Sequence, residues 1–185
     1  MERLFSDDLN YDSMLKDIKE LIRIMPPGYG EYITYNCCVG LRSSESVASV
    51  HLIHNRETFQ SYFNPTKNTL EHFKFASIMM RRTKKCYISI ISPEVLDVAA
   101  RCKPGVTYNA LRLHAQKKGM KFTMSYARKL FASWLSHRSI PDFIIDALQG
   151  RCAPTVLARH YLVVQSTFKD GVLRAVHELL KQIEG

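Results

Sequence analysis

The stretch Phe122-Thr123-Met124-Ser125-Tyr126-Ala127-Arg128-Lys129-Leu130-Phe131-Ala132-Ser133-Trp134-Leu135-Ser136-His137 decides the fold class. Its apolar set, Leu130, Phe131, Trp134 and Leu135, recurs at helical spacing, so the segment reads as an amphipathic helix with Phe131 and Trp134 in the core. Downstream, Pro141 breaks the pattern and a second helix runs from Asp142 to Gln149, with Phe143, Ile144, Ala147 and Leu148 on one side and Gly150 as its stop. Thr155 to Leu162 and Phe168 to Ile183 read as further helices. Upstream, Thr107 to Gln116 follows Pro104-Gly105, and Glu94 to Ala100 follows Pro93. Cys86-Tyr87-Ile88-Ser89-Ile90-Ile91-Ser92 is short and rich in β-branched and aromatic residues, which predicts a strand. Phe75 to Met80 is its expected partner, with Arg81 to Lys85 as the connecting turn. His54 to Phe75 is polar and aromatic, turns at Asn64-Pro65, and yields no regular element.

Near the N-terminus, Met14, Leu15, Ile18, Leu21, Ile22 and Met25 form a helical stripe from Asp12 to Met25, ended by Pro26-Pro27-Gly28. A helix from Glu31 to Leu41 and another starting near Ser44 follow. The expected fold is mainly α with a small antiparallel β-sheet or hairpin, and the helices must supply the core.

The chain has 185 residues, enough for one domain with a sizeable core, and its 46% hydrophobic and 23% charged residues are ordinary for a globular protein. No apolar run approaches the roughly 20 residues of a membrane span, and the first residues lack a signal-peptide pattern. Five cysteines, Cys37, Cys38, Cys86, Cys102 and Cys152, contain no CxxC pair, which excludes a zinc knuckle or dithiol redox motif on spacing. Reduced thiols inside a cell are the simple expectation, with internal disulfides of a hyperthermophile protein as the exception.

The net charge is +9. From Arg81 to His160 there are 15 basic residues against four acids, a surplus of 11 that exceeds the whole chain's. A basic block inside a folded segment fits a polyanion, most often nucleic acid; a solvated basic face with no partner fits charge alone equally well.

Four motifs stand in order: Gly40-Leu41-Arg42-Ser43-Ser44-Glu45; the basic turn Arg81-Arg82-Thr83-Lys84-Lys85 ahead of the strand; Ser125-Tyr126-Ala127-Arg128; and Leu148-Gln149-Gly150-Arg151, with Tyr161 ten positions after Arg151. The series resembles the catalytic domain of the tyrosine recombinases, the phage-integrase superfamily, over about Ser13 to Leu180. It is most similar to integrases of archaeal spindle viruses and plasmids, which share Arg in the Leu-Gln-Gly-Arg box and the ten-residue gap to the tyrosine.

The resemblance implies attack of the Tyr161 hydroxyl on a DNA phosphodiester, forming a 3′-phosphotyrosyl link and freeing a 5′-hydroxyl. One phosphodiester replaces another, so neither nucleotide nor metal is called for, and no cofactor is expected. The transition state carries extra charge on its non-bridging oxygens. Arginine suits it, because the guanidinium stays protonated and binds oxygens as a fork. Arg42 and Arg128 match the two family arginines, and Arg151 adds a third donor. Lys85 matches the lysine that protonates the leaving oxygen; Lys84 is the alternative, and the position directly before the strand favours Lys85. Glu45 matches the acid beside the first arginine. His160 either assists Tyr161 or faces DNA or the core. Arg81, Arg82, Lys117, Lys118, Lys121, Lys129 and Arg159 are the expected DNA contacts.

Two features depart from the pattern. The family places His, Lys or Tyr three residues before the second arginine, where this chain has Ser125. Either that group is dispensable, or Tyr126, Lys129 or His160 replaces it, or activity is low. The family's N-terminal clamp domain has no room before Ser13, so residues 1–185 read as a single C-terminal catalytic domain of a longer integrase, or a gene fragment. About 13–165 would form its catalytic core. Helix 166–185 is either an exchange helix for a neighbouring protomer or ordinary packing. The implied partners are duplex attachment sites and, on DNA, three further copies; the isolated domain would be monomeric. The expected location is the host cytoplasm, at the nucleoid, with no membrane partner. A type IB topoisomerase-like relaxing activity and a catalytically weakened DNA-binding remnant are the alternatives.

Overall fold

The computed structural model describes residues 11–80, 85–119, 124–151 and 167–185. Helix α1 (Tyr11–Ile24) buries Met14, Leu15, Ile18 and Leu21, as its stripe predicts. Helix α2 (Gly30–Val39) is buried at nearly every position, the mark of a helix enclosed by others. Helices α3 (Ser43–His54), α6 (Pro93–Arg101), α8 (Met124–His137) and α10 (Lys169–Glu184) join α1 around it. The helices therefore make the core. Short α4 (Arg56–Tyr62), α5 (Ala76–Met79), α7 (Tyr108–Lys117) and α9 (Asp142–Leu148) complete the described helices.

The α8 stripe lies as expected, with Leu130, Phe131, Trp134 and Leu135 at most 2% exposed. The Trp134 indole N–H donates to the Ala175 carbonyl of α10 at 2.6 Å, and the Arg138 guanidinium covers its ring at 4.5 Å. Helix α10 buries Val172, Ala175, Val176, Leu179, Leu180 and Ile183 inside its own protomer, against α1, α2, α6 and α8. Its apolar stripe is satisfied by packing within one chain.

The sheet has three short antiparallel strands in the order β1 (Phe63–Asn64), β2 (Thr69–Glu71), β3 (Ile88–Ile90). Thr69 pairs with Ile90 and Glu71 with Ile88. The strand expected at Cys86–Ser92 is present, but its partner is not Phe75–Met80. That segment forms a 3-10 turn (His72–Phe75) followed by α5, and the connection between β2 and β3 is correspondingly longer than the turn Arg81–Lys85. A six-residue stretch with five apolar residues carries no period long enough to separate strand from helix. The true partner, Thr69-Leu70-Glu71, hides in the polar stretch that gave no reading.

A buried chain of hydrogen bonds ties this sheet to the helices. Tyr35 of α2 and Tyr62 of α4 both reach the Ser49 hydroxyl of α3, at 2.6 and 2.8 Å. The Tyr62 hydroxyl also meets His72 Nδ1 at 2.6 Å, and His72 Nε2 meets the Ser89 hydroxyl of β3 at 2.9 Å. Burial pulls the His72 pKa down to about 3, so the ring is neutral and bridges a tyrosine to a serine. Each buried polar atom in such a chain would be costly without its neighbour. Cys37, Cys38, Cys86 and Cys102 are buried free thiols; Cys152 lies outside the described residues. No helix among the described residues is long and apolar enough to cross a membrane.

Candidate functional site

Arg42 sits at the N-cap of α3, where its backbone is extended. The Glu45 carboxylate, in the first turn, accepts from the Arg42 backbone N–H at 3.2 Å and from its guanidinium at 2.7 Å. This carboxylate caps the helix, matches its dipole and fixes the arginine at once. The other Arg42 nitrogen donates to the Gly150 carbonyl at 3.2 Å, joining residues 108 positions apart.

Arg128 lies on the inner side of α8 and is 9% exposed. One guanidinium nitrogen donates to the Gln149 carbonyl at 2.6 Å, while the Gln149 side-chain amide donates back to the Arg128 carbonyl at 2.8 Å. The reciprocal pair locks α8 to the end of α9. The second terminal nitrogen, Nη1, is buried with no partner among the described residues. Burial, with the charges of Arg42 and Arg151 nearby, lowers the Arg128 pKa to about 10, so it stays charged at neutral pH. A buried guanidinium with an open donor and like charges beside it is an unfavourable arrangement that an anion relieves.

Gly150 brings two motifs together. Its φ is +61°, and a Cβ there would stand 2.6 Å from the Cys86 nitrogen and 2.7 Å from the Lys85 carbonyl carbon. Only glycine allows this backbone bend and this approach. The Cys86 thiol, whose pKa burial pushes up to about 12, donates to the Leu148 carbonyl at 2.9 Å. Lys85, the last residue of the basic stretch, and Cys86 are thereby anchored on the Leu-Gln-Gly-Arg box, with half-buried Lys85 beside Gly150. Arg151 is half exposed and stands 3.6 Å from Asp146.

Arg42, Ser43, Ser44, Tyr108, Ser125, Arg128 and Arg151 line one open cleft of about 510 Å³. Three guanidinium groups and the N-terminus of α3 meet there, with Glu45 already bonded to Arg42. Fixed positive charge, fork-shaped donors and a helix N-terminus suit the cleft to an oxyanion such as phosphate. A larger cleft of about 660 Å³, between α1 and the end of α10, sets Lys16, Lys19 and Arg23 against Asp12, Glu20 and Glu184, and concentrates no charge.

The residues singled out from the sequence divide in three. Arg42, Arg128, Arg151 and Ser125 line the cleft, Glu45 supports it, and Lys85 flanks it by its backbone. Lys117, Lys118 and Lys129 are exposed outside it, Lys117 about 14 Å along α7 from Tyr108. Tyr161, His160, Arg159, Lys84, Arg81, Arg82 and Lys121 lie outside the described residues. The Tyr126 hydroxyl donates to Asp17 of α1 at 2.9 Å and does not line the cleft. Of the proposed substitutes for the group at Ser125, neither Tyr126 nor Lys129 is in place.

Sequence reading missed Tyr108 and Gln149. Gln149 stood inside a quoted motif, but its bond to a backbone carbonyl leaves no local pattern. Tyr108 carries no motif at all. Among the described residues no group of three or more His, Cys, Asp or Glu could hold a metal ion.

A family model described as archaeal phage integrase matches residues 47–181, a span that contains Lys85, Arg128, Arg151 and Tyr161. No curated protein and no solved structure gave a match.

Proposed function

Since the chain belongs to the archaeal phage integrase family, we propose that it is the catalytic domain of a tyrosine-type site-specific recombinase, which cuts and rejoins duplex DNA through a phosphotyrosyl intermediate. The observation that carries this reading is the convergence of Arg42, Arg128 and Arg151, from three separate segments, on one cleft at a helix N-terminus. The family implies an integrase acting on DNA; the cleft's charge supports a phosphodiester as the group bound there.

In this reading the scissile phosphate sits among the three guanidinium groups. Glu45 holds Arg42, and Gln149 holds Arg128, so the donors are set before the substrate arrives. The Tyr161 hydroxyl attacks phosphorus and gives up its proton to solvent, the bond to the 5′-oxygen breaks, and Lys85 supplies the proton that oxygen takes up and is reprotonated from solvent. Lys84 is the fallback donor. Religation reverses these steps with a different 5′-hydroxyl, so the phosphodiester energy is conserved in the tyrosyl link. Lys117, Lys118 and Lys129 contact flanking phosphates; about 14 Å corresponds to about four nucleotide steps along a strand. The protein acts as a tetramer on paired attachment sites, in the host cytoplasm at the nucleoid.

The test is an adduct trap: a duplex nicked just beyond the cleavage site, from which the freed fragment diffuses away. Wild-type protein should form a covalent protein–DNA band that Tyr161→Phe abolishes and EDTA leaves unchanged. No band at any pH or metal condition refutes the enzymatic reading. The presence of Ser125 in the cleft, in place of a proton-carrying group, favours one second reading, a DNA-binding remnant; tight DNA binding without adduct would establish it. Plasmid relaxation without two-site recombination would instead indicate topoisomerase-like action.

A further inference from the structure

One wall of the cleft has no part in the scheme above. Tyr108 lines it together with the three arginines, and among the described lining residues it is the one phenol. It occupies the first position of α7, where the Thr107 hydroxyl accepts from the Ala110 N–H at 3.2 Å and starts the helix. Its ring is half-buried and packs against the core, while Leu111 and Ala115 bury the inner side of the same helix. Just before it, the Val106 carbonyl accepts from His51 Nε2 of α3 at 3.2 Å. Arg42 caps the other end of α3. Helix α3 therefore carries Arg42 at its start and, through His51, holds the backbone two residues before Tyr108.

The chemistry of the cleft gives that phenol a task. Arginines supply charge and keep their protons. The remaining lining side chains, Ser43, Ser44 and Ser125, carry aliphatic hydroxyls, which are weaker acids and weaker donors than a phenol. A donor strengthens most where charge develops, so a phenolic O–H aimed at a phosphate helps the transition state more than the ground state.

Building on the proposed strand-transfer reading, we propose that Tyr108 is a further catalytic residue, whose hydroxyl donates a hydrogen bond to a non-bridging oxygen of the scissile phosphate. The proton stays on Tyr108, and no bond is made or broken there.

The adduct trap tests this with wild-type protein, Tyr108→Phe and Tyr161→Phe, on duplexes whose scissile phosphate is normal or a single phosphorothioate diastereomer. Tyr108→Phe removes only an oxygen, and an unchanged melting temperature confirms the fold. Its adduct rate at saturating DNA should fall about 10- to 100-fold, the loss of one hydrogen bond to a charged group, with DNA affinity within about twofold, as expected of a contact made mainly in the transition state. Sulfur at the contacted oxygen weakens that bond in wild type. The Tyr108→Phe penalty should therefore shrink severalfold on one diastereomer and stay full on the other, which a merely structural role cannot produce. Equal penalties on both diastereomers, or an unchanged rate on the normal substrate, overturn the inference alone. Complete loss in Tyr108→Phe with an adduct surviving in Tyr161→Phe also overturns it, by making Tyr108 the nucleophile. A wild-type protein that forms no adduct overturns the strand-transfer reading and this inference with it.

Discussion

Replacing Gly150 by alanine tests the contact that holds Lys85 and Cys86 against the segment gripped by Arg42. Two costs add. Alanine at φ +61° sits in the left-handed region, which costs about 1–2 kcal/mol for a residue with a Cβ. The new Cβ also meets the backbone of Lys85 and Cys86 at 2.6–2.8 Å. Backbone cannot swing aside as a side-chain tip can, so a further ~1–3 kcal/mol of overpacking follows. Gly105→Ala isolates the first cost, because its φ is +73° and nothing lies within 4 Å of its Cβ. Urea unfolding of both variants should place Gly150→Ala about 1–3 kcal/mol below Gly105→Ala. For a protein of this size that is roughly 2–12 °C in melting temperature. The shift should also displace Lys85 and the Gly150 carbonyl that holds Arg42, so adduct formation should fall at temperatures where the variant is still folded. Equal stabilities within about 0.5 kcal/mol, well below the ~1–3 kcal/mol expected from overpacking, would show that Lys85 and Cys86 do not rest against Gly150.

Three more outcomes are expected. Arg128→Lys should cut adduct formation about 100-fold or more, because one ammonium cannot reach the Gln149 carbonyl and still offer a fork to phosphate; a loss under tenfold would remove Arg128 from the site. His72 should make the protein acid-sensitive. Its folded pKa is about 3 against roughly 6.5 unfolded, so its contribution is complete above pH 6.5 and is lost as pH falls toward 3, at about 1.4 kcal/mol per pH unit. Urea midpoints at pH 7, 6 and 5 should fall more steeply for wild type than for His72→Asn; parallel lines would refute the buried neutral ring. For about seven phosphate contacts, the logarithm of DNA affinity should fall with log salt at a slope near −6, and Lys117→Ala with Lys118→Ala should reduce that slope by about 2. An unchanged slope would take both lysines off the DNA.

The helices were legible because their signal is local. The apolar positions of α1, α8 and α10 recur within a turn or two, and Ser92-Pro93, Thr107 and Gly150 mark starts and stops by their own backbone preferences; in α9 the expected set is buried except at Phe143, which is 38% exposed. The sheet was half legible for the same reason. Ile88–Ile90 announces itself by β-branched residues, while Thr69–Glu71 is a strand because Phe63–Asn64 and Ile88–Ile90 pair with it on its two sides. Phe75–Met80 has strand-like composition but turns away as a 3-10 turn and a short helix, burying Met79 at 1% exposure.

The sequence by itself determined the kinds of group available and their order: Arg42, the basic turn, Arg128, then Arg151. Charge and side-chain chemistry belong to single residues, and helical period belongs to short windows. Only the tertiary structure decided which groups meet. Gln149 grips Arg128 across 21 positions, and Arg42 grips Gly150 across 108. Tyr108 enters the same cleft because α3 anchors both the loop before it and Arg42. Such meetings depend on loop closure and packing summed over the whole chain, and no local period records them.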